Sequence, residues 1–289
     1  MLPLLDTIIQ GVLLGGLYAL YATGLSLIFG IMRLVNLAHG DLIVLAAFLI
    51  LALAAYLGVD TLAAFVIAVP VMFAAGYALQ ALVLNRTLGE DILPPLLVTF
   101  GLSIVVQNGL LTAFSADSRR LPVGDLANAS VPIGGGIAVG ILPLASLAAA
   151  VVVIFLLNLL FYRTMLGRAF RATSDDTETA QLMGVDNRRI YALAMGLAMA
   201  VATVAAFFLG GRANFDPTIG PARLIYAFEA VIIGGLGSLW GTLAGGIVVG
   251  VAQTIGARVN PEWQILAGHV AFLAVLILRP RGLFPRAVD

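Results

Sequence analysis

The chain has 289 residues, 61% hydrophobic and 10% charged, with zero formal net charge and a mean hydropathy of +1.08. A soluble domain is nearer a quarter charged, so that class is excluded, and at about 20 apolar residues per helical crossing the composition fills about eight or nine spans. No cysteine is present, which removes disulfides, thiolate metal sites and thiol nucleophiles.

Other chemistry is removed as directly. The two histidines, His39 and His269, stand far apart in sequence, so a histidine-based metal cluster has no ligands. All fifteen basic residues are arginine, so no P-loop lysine exists and any ATP that powers the molecule is hydrolysed on another chain. A neutral chain leaves no footprint for nucleic acid. The expectation is an all-α polytopic membrane protein with a single transmembrane domain spanning 1–289.

In chain order, apolar stretches run over 8–30, 42–58 and 62–84, the first too long for a signal-peptide core. A polar stop, 33–41, separates the first two. Pro94 and Pro95 open a fourth stretch that ends near Phe114. The loop 115–136, rich in Gly, Pro, Asp and Asn, reads as irregular and surface-lying. The fifth stretch, 137–162, leads into a charged segment, 163–190, and the sixth covers 191–211. Beyond it lie 224–239, 242–256 and 263–278, then a basic tail. Those at 224–239 and 242–256 are short for a span. They either both cross or form a re-entrant pair, which is tolerated where backbone is buried in protein or lines a cavity.

Orientation follows from arginine. The set of loops containing 31–41, 85–93, 163–190 and 279–289 holds ten arginines, against five on the other side. The richer side is expected to be cytoplasmic, with the amino terminus outside, the carboxy terminus inside and 115–136 extracytoplasmic.

The segment 163–190 is the least membrane-like part. Thr173 or Ser174 is placed to cap a helix of about ten residues, with Asp175, Asp176 and Glu178 in its first turn, where carboxylates favour the dipole. Leu182 and Met183 supply apolar contacts, Gly184 sits where a C′ glycine belongs, and Asp186 is placed to cap the next helix. The segment reads as a solvated connector, as a docking element for a cytoplasmic partner, or, through its five arginines, as a contact for anionic lipid heads.

Four motifs then carry a resemblance. Gly167-Arg168-Ala169-Phe170-Arg171-Ala172, followed by Ala180-Gln181-Leu182-Met183-Gly184-Val185, resembles the coupling loop of the branched-chain amino-acid ABC permeases. Asn36-Leu37-Ala38-His39-Gly40-Asp41 resembles that family's Asn-Phe-Ala-His-Gly motif, with Leu37 replacing the usual Phe. Gly234-Gly235-Leu236-Gly237-Ser238-Leu239-Trp240-Gly241 and Arg279-Pro280-Arg281-Gly282-Leu283-Phe284 resemble its two late motifs. The markers fall in the family's order and span nearly the whole chain, closest to the LivH-type subunit. The resemblance implies a type II-like ABC importer permease in the bacterial plasma membrane that forms half of a translocation pathway. It also implies a LivM-type second permease, two cytoplasmic ATPases that hold the ATP and Mg, and an extracytoplasmic binding protein. This chain itself would bind no cofactor. The coupling loop would dock the ATPase through the residues around Gly167, Arg168 and Arg171 and those from Asp175 to Gly184.

Polar residues within apolar runs complete the list. Asn36, His39 and Asp41 read either as a gate on the permeation path or as a hydrogen-bonded turn that starts the second helix. Gln107 and Asn108 read as interhelical glue or as pathway lining suited to a zwitterion. Glu229 must be protonated, paired or in water, and Arg223 and Arg212 are the partners considered. Gly237, Gly241 and Gly245, with Gly246 and Gly250, form a small-residue face, and Trp240 and Trp263 fit interfacial belts. A permease for urea or short amides is the nearest alternative. An ion-coupled secondary transporter would need more intramembrane carboxylates than Glu229, and Ser26, His39 and Asp41 lack the spacing of a catalytic triad.

Overall fold

The computed structural model describes residues 2–89, 91, 93–134 and 137–284; the end of the 115–136 loop and residues 285–289 of the basic tail lie outside them. Among the described residues the bundle consists of α1 (Leu2–Met32), α2 (His39–Leu57), α3 (Thr61–Leu82), α4 (Leu93–Phe114), α5 (Ile141–Arg163), α8 (Asn187–Arg212), α9 (Gly220–Gly234), α10 (Leu239–Val259) and α11 (Trp263–Leu278). Two short helices, α6 (Met165–Asp175) and α7 (Thr177–Leu182), lie between α5 and α8. Seven of these helices are long and apolar enough to cross a membrane. The molecule is the all-α polytopic protein its composition demands.

α1 is apolar on every face, as a helix at the centre of a bundle must be, and 89% of its apolar window is buried. Its largest contact is with α10, which runs antiparallel to it. Glycine makes that contact possible. A Cβ on Gly15 would land on the backbone of Ile247, one on Gly246 on the Gly15 carbonyl, and one on Gly250 on the Gly11 carbonyl. Gly241 and Gly245 instead meet Gly234 and Ala230 of α9. The expected single small-residue face is therefore two faces of α10, one for each neighbour. Gly237 lies in the turn between α9 and α10, at φ +79°, against Gly30.

The re-entrant pair does not form. α10 runs the length of α1 as a full span, and α11 packs back along α10, where a Cβ on Gly256 would meet Trp263 and Ala267. α9 is truncated at its start. From Arg212 the chain enters the bundle as a non-helical leg, and α9 begins at Gly220, against Gly40 and Asp41. The leg is anchored by paired backbone hydrogen bonds between Arg119 and Phe215, both 2.8 Å, and by Leu121 N–H to the Gly210 carbonyl at 2.9 Å. Phe215 itself is buried edge-on against Phe48.

The 115–136 loop is more ordered than its composition implies. It contains a short 3-10 turn over Gly124–Ala127 and strand β1, Ser130–Gly134, paired antiparallel with β2, Ile137–Gly140. Residues 137–140, expected to open the fifth helix, are strand, and α5 begins only at Ile141. Trp240 and Trp263 are exposed in the first turns of consecutive antiparallel helices, hence at opposite ends of the bundle, as interfacial anchors require. The bundle's outer surface is apolar, as on Leu97 and Val105 of α4, Phe155 and Leu156 of α5 and Val270 and Ile277 of α11.

Candidate functional site

At one end of the bundle, α6 and α7 divide the work of anchoring and presenting. Thr164 caps α6, its hydroxyl accepting from Gly167 N–H at 3.0 Å. Gly167 sits so close to the end of α5 that a Cβ there would strike the Leu160 and Phe161 carbonyls. Phe170 is fully buried and stacks on Phe161 with ring centroids 5.3 Å apart. Arg171 donates to the Phe161 carbonyl and lies 5.0 Å from the Tyr162 ring centroid, satisfying the carbonyl end of α5. Arg168 is exposed beside Met165. Ser174 donates to the Gly30 carbonyl at 2.5 Å, tying α6 to the end of α1.

The next helix starts later than expected. Thr173, Ser174 and Asp175 belong to the last turn of α6, and Asp176, in extended conformation, is the N-cap of α7. Its Oδ1 accepts from Glu178 N–H and Thr179 N–H, both at 3.0 Å. The hydroxyl of Thr179, then the backbone N–H groups, hold its carboxyl below the usual carboxylate range, so the cap's contribution is complete above that range and is lost as pH falls below it, through the depressed value. At the other end Gly184, at φ +86°, donates to the Gln181 carbonyl at 2.9 Å and Val185 donates to the Ala180 carbonyl at 3.0 Å. That is the Schellman arrangement. Asp186 caps α8 by accepting from Arg189 N–H. α7 has six residues, fewer than the ten expected, and a helix this short cannot stand alone. It rests on α8, with Asn187 donating to the Thr177 carbonyl at 2.7 Å. Leu182 and Met183 nevertheless point away, 87% and 81% exposed.

The polar stop at 33–41 is not an outside loop. Only 33–38 is non-helical, and Asn36, His39 and Asp41 are all buried. Asn36 Oδ1 accepts from Ala38 N–H at 3.0 Å, and His39 N–H returns to the Asn36 carbonyl at 3.2 Å. His39 Nε2 lies 2.9 Å from the Tyr21 carbonyl, and since a carbonyl only accepts, Nε2 carries the proton. The contact falls about three turns short of the end of α1, so α2 starts inside the bundle.

Asp41 is the hub of this region. It accepts from Ser103 Oγ at 2.5 Å and from Gln107 Nε2 at 3.0 Å, and its carboxyl abuts Gly220, the first residue of α9. Two helix N-termini, those of α2 and α9, thus meet at one carboxyl, where the dipoles favour it. Gln107 thus bonds across helices to Asp41 of α2, whereas Asn108 is exposed and bonds the Ile104 carbonyl of its own helix. His39 and Asp41 bond different partners and Ser26 Oγ is buried with no hydrogen-bond partner among the described residues, so no triad forms. Gln107→Leu removes one donor from the buried carboxyl and is expected to destabilise the protein by about 2 kcal/mol. Thermal unfolding of the purified protein measures this, and an unchanged midpoint would refute the anchoring role.

A second polar cluster gathers tyrosines and Gln253, which the sequence did not single out, around Glu229. Tyr18 of α1 stacks on Tyr226 of α9 at 4.9 Å and donates to Gln253 Oε1 of α10 at 2.6 Å. The Tyr18 and Tyr21 ring centroids are 6.1 Å apart, and Arg223 Cζ lies 6.0 Å from the Tyr226 ring centroid. Glu229 pairs through Oε1 with His269 Nδ1 of α11, not with either arginine. Tyr21 Oη, Arg212 Nη1, Arg223 Nε, Glu229 Oε2 and Gln253 Nε2 are buried without a hydrogen-bond partner among the described residues. The signal lay in tyrosines and arginines that a hydropathy reading counts as belt or loop residues. The described residues hold no group of three or more potential metal ligands.

Comparison with known proteins matches this architecture. The model of the family described as branched-chain amino acid transport system permease component covers residues 7–278. The chain is 31% identical over 296 residues to the high-affinity branched-chain amino acid transport permease BraD of Pseudomonas aeruginosa, across 98% of this chain and 96% of that one. It is 29% identical to the corresponding LivH of Escherichia coli, with the same coverage. Among solved structures, PsaBC from Streptococcus pneumoniae in complex with Fab shares the fold at a TM-score of 0.50 and 14% identity, over 94% of this chain and 91% of that one. A bundle of apolar helices with a capped loop at one end, matched along nearly its whole length, places the chain in the branched-chain amino acid permease family as a LivH-type member.

Proposed function

We propose that this chain forms one half of the translocation pathway of an ABC importer for branched-chain amino acids. A homologous second permease, two ATPases and an extracytoplasmic binding protein supply the rest. The observation that carries the coupling is α7, a helix capped at both ends whose Leu182 and Met183 stand free of the bundle. Unlike the exposed apolar side chains of the spans, these two adjacent ones stand on the charged segment between α5 and α8, and that supports a contact with another protein. α6 transmits the load because Phe170 and Ser174 fix it to the ends of α5 and α1.

The arginine excess on the loops of that end supports a cytoplasmic placement, with the amino terminus outside. ATP and Mg are then held by the ATPases, and this chain supplies transport alone. Gly184→Val tests the coupling. No atom lies within contact of a Cβ there, so the substitution acts only through the left-handed backbone, at about 1–2 kcal/mol. α7 loses its C-terminal stop, and leucine uptake per ATP hydrolysed by the reconstituted importer is expected to fall severalfold. Unchanged uptake and unchanged substrate-stimulated ATPase would sink the proposal.

A further inference from the structure

Charged groups inside a membrane bundle are costly and are retained where they meet a pathway or a ligand. The cluster between α1, α9 and α10 holds Arg223 and Glu229, each with a buried atom lacking a hydrogen-bond partner among the described residues. Arg223 and Glu229 lie on one helix, about two turns apart, or about 9 Å along its axis. Tyr226 stands between them on the helix, with Arg223 Cζ 6.0 Å from its ring centroid. The stacked rings of Tyr18 and Tyr226 form an apolar wall at the same level. A cation, an anion and an apolar wall in one buried cluster match the parts of a zwitterion with a hydrocarbon side chain.

We propose that this cluster is where the permease reads its substrate. Arg223 receives the α-carboxylate, and Oε2 of Glu229 receives the α-ammonium. The side chain lies against Tyr18 and Tyr226. Glu229 already holds His269 through its other oxygen, so its free oxygen is positioned for a cation. Selection would then operate twice in the importer, once in the binding protein and once here. This proposal rests on the transport reading above and adds a site to it.

The test measures binding of radiolabelled L-leucine to the detergent-purified permease–ATPase complex without binding protein. Competitors are 4-methylvaleric acid, which lacks the ammonium, and isopentylamine, which lacks the carboxylate. Leucine is expected to bind, and each competitor at least about tenfold more weakly, the scale of one lost charged contact. Arg223→Gln should weaken leucine and 4-methylvaleric acid by at least about tenfold without moving isopentylamine, and Arg223→Lys should restore part of the loss. Glu229→Gln should weaken leucine and isopentylamine and spare the acid. A purely structural role would move all three ligands together, and that result overturns the proposal. So does equal binding of all three by the wild type, or no leucine binding in a complex that transports leucine once the binding protein is added. A complete importer that transports no leucine overturns the transport reading as well.

Discussion

Replacing Leu182 and Met183 together by aspartate should strip the ATPase subunits from the purified importer. Both side chains are almost fully exposed on the isolated chain, and burying a leucine or methionine contributes about 1.5–3 kcal/mol. Losing both contacts, and driving two carboxylates into an apolar groove, weakens the complex at least about a hundredfold, since 1.4 kcal/mol is a factor of ten. α7 itself should survive, because its N-cap Asp176 and its C-terminal Gly184 are untouched. The permease should therefore unfold at its ordinary temperature, which separates lost docking from lost folding. Size-exclusion chromatography with quantified ATPase content reads the result. Full retention of ATPase would show that the importer couples through some other surface.

Much of the bundle was legible from apolar runs, because a helix in lipid must satisfy its own backbone and so writes its length into composition. The misreadings have physical reasons. By composition 33–41 counts as an outside polar stop, yet Asn36, His39 and Asp41 form the hydrogen-bonded turn that starts the second helix, and that turn lies inside the protein with partners on α1 and α4. Polar residues so satisfied are as compatible with burial as with solvent. Five consecutive residues, Thr173 to Thr177, suit an N-cap or first turn, and only the extended backbone at Asp176 selects among them. Glu229 drew the nearest arginines as its expected partners, but its real partner lies 40 residues on. Sequence separation says nothing about which helices become neighbours. Tyr18 and Tyr21 fall within the first apolar stretch, where periodicity does not reveal where a hydroxyl points.

Gly246→Val is expected to cost more than any surface change in the bundle, and it tests the central packing directly. α1 and α10 approach through their backbones, and a Cβ on Gly246 would fall 2.6 Å from the Gly15 carbonyl oxygen and 2.8 Å from the Ala19 nitrogen. Neither atom belongs to a side chain that can rotate away. The two helices must separate along the largest interface in the molecule, at a cost of at least about 3 kcal/mol, the upper end of ordinary overpacking. Gly109→Val on α4 provides the contrast, because a Cβ there meets nothing within 4 Å. Both substitutions make the same change in helix propensity, so that term cancels between them. The Gly246 variant should yield little monodisperse protein and unfold well below the parent, while the Gly109 variant matches the parent in both. Equal stability of the two variants would mean that α1 and α10 do not meet at Gly15 and Gly246. Close backbone approach explains why an apolar bundle with no lipid-exclusion force between its helices holds a single arrangement, and it fixes the level at which Tyr18 reaches Gln253.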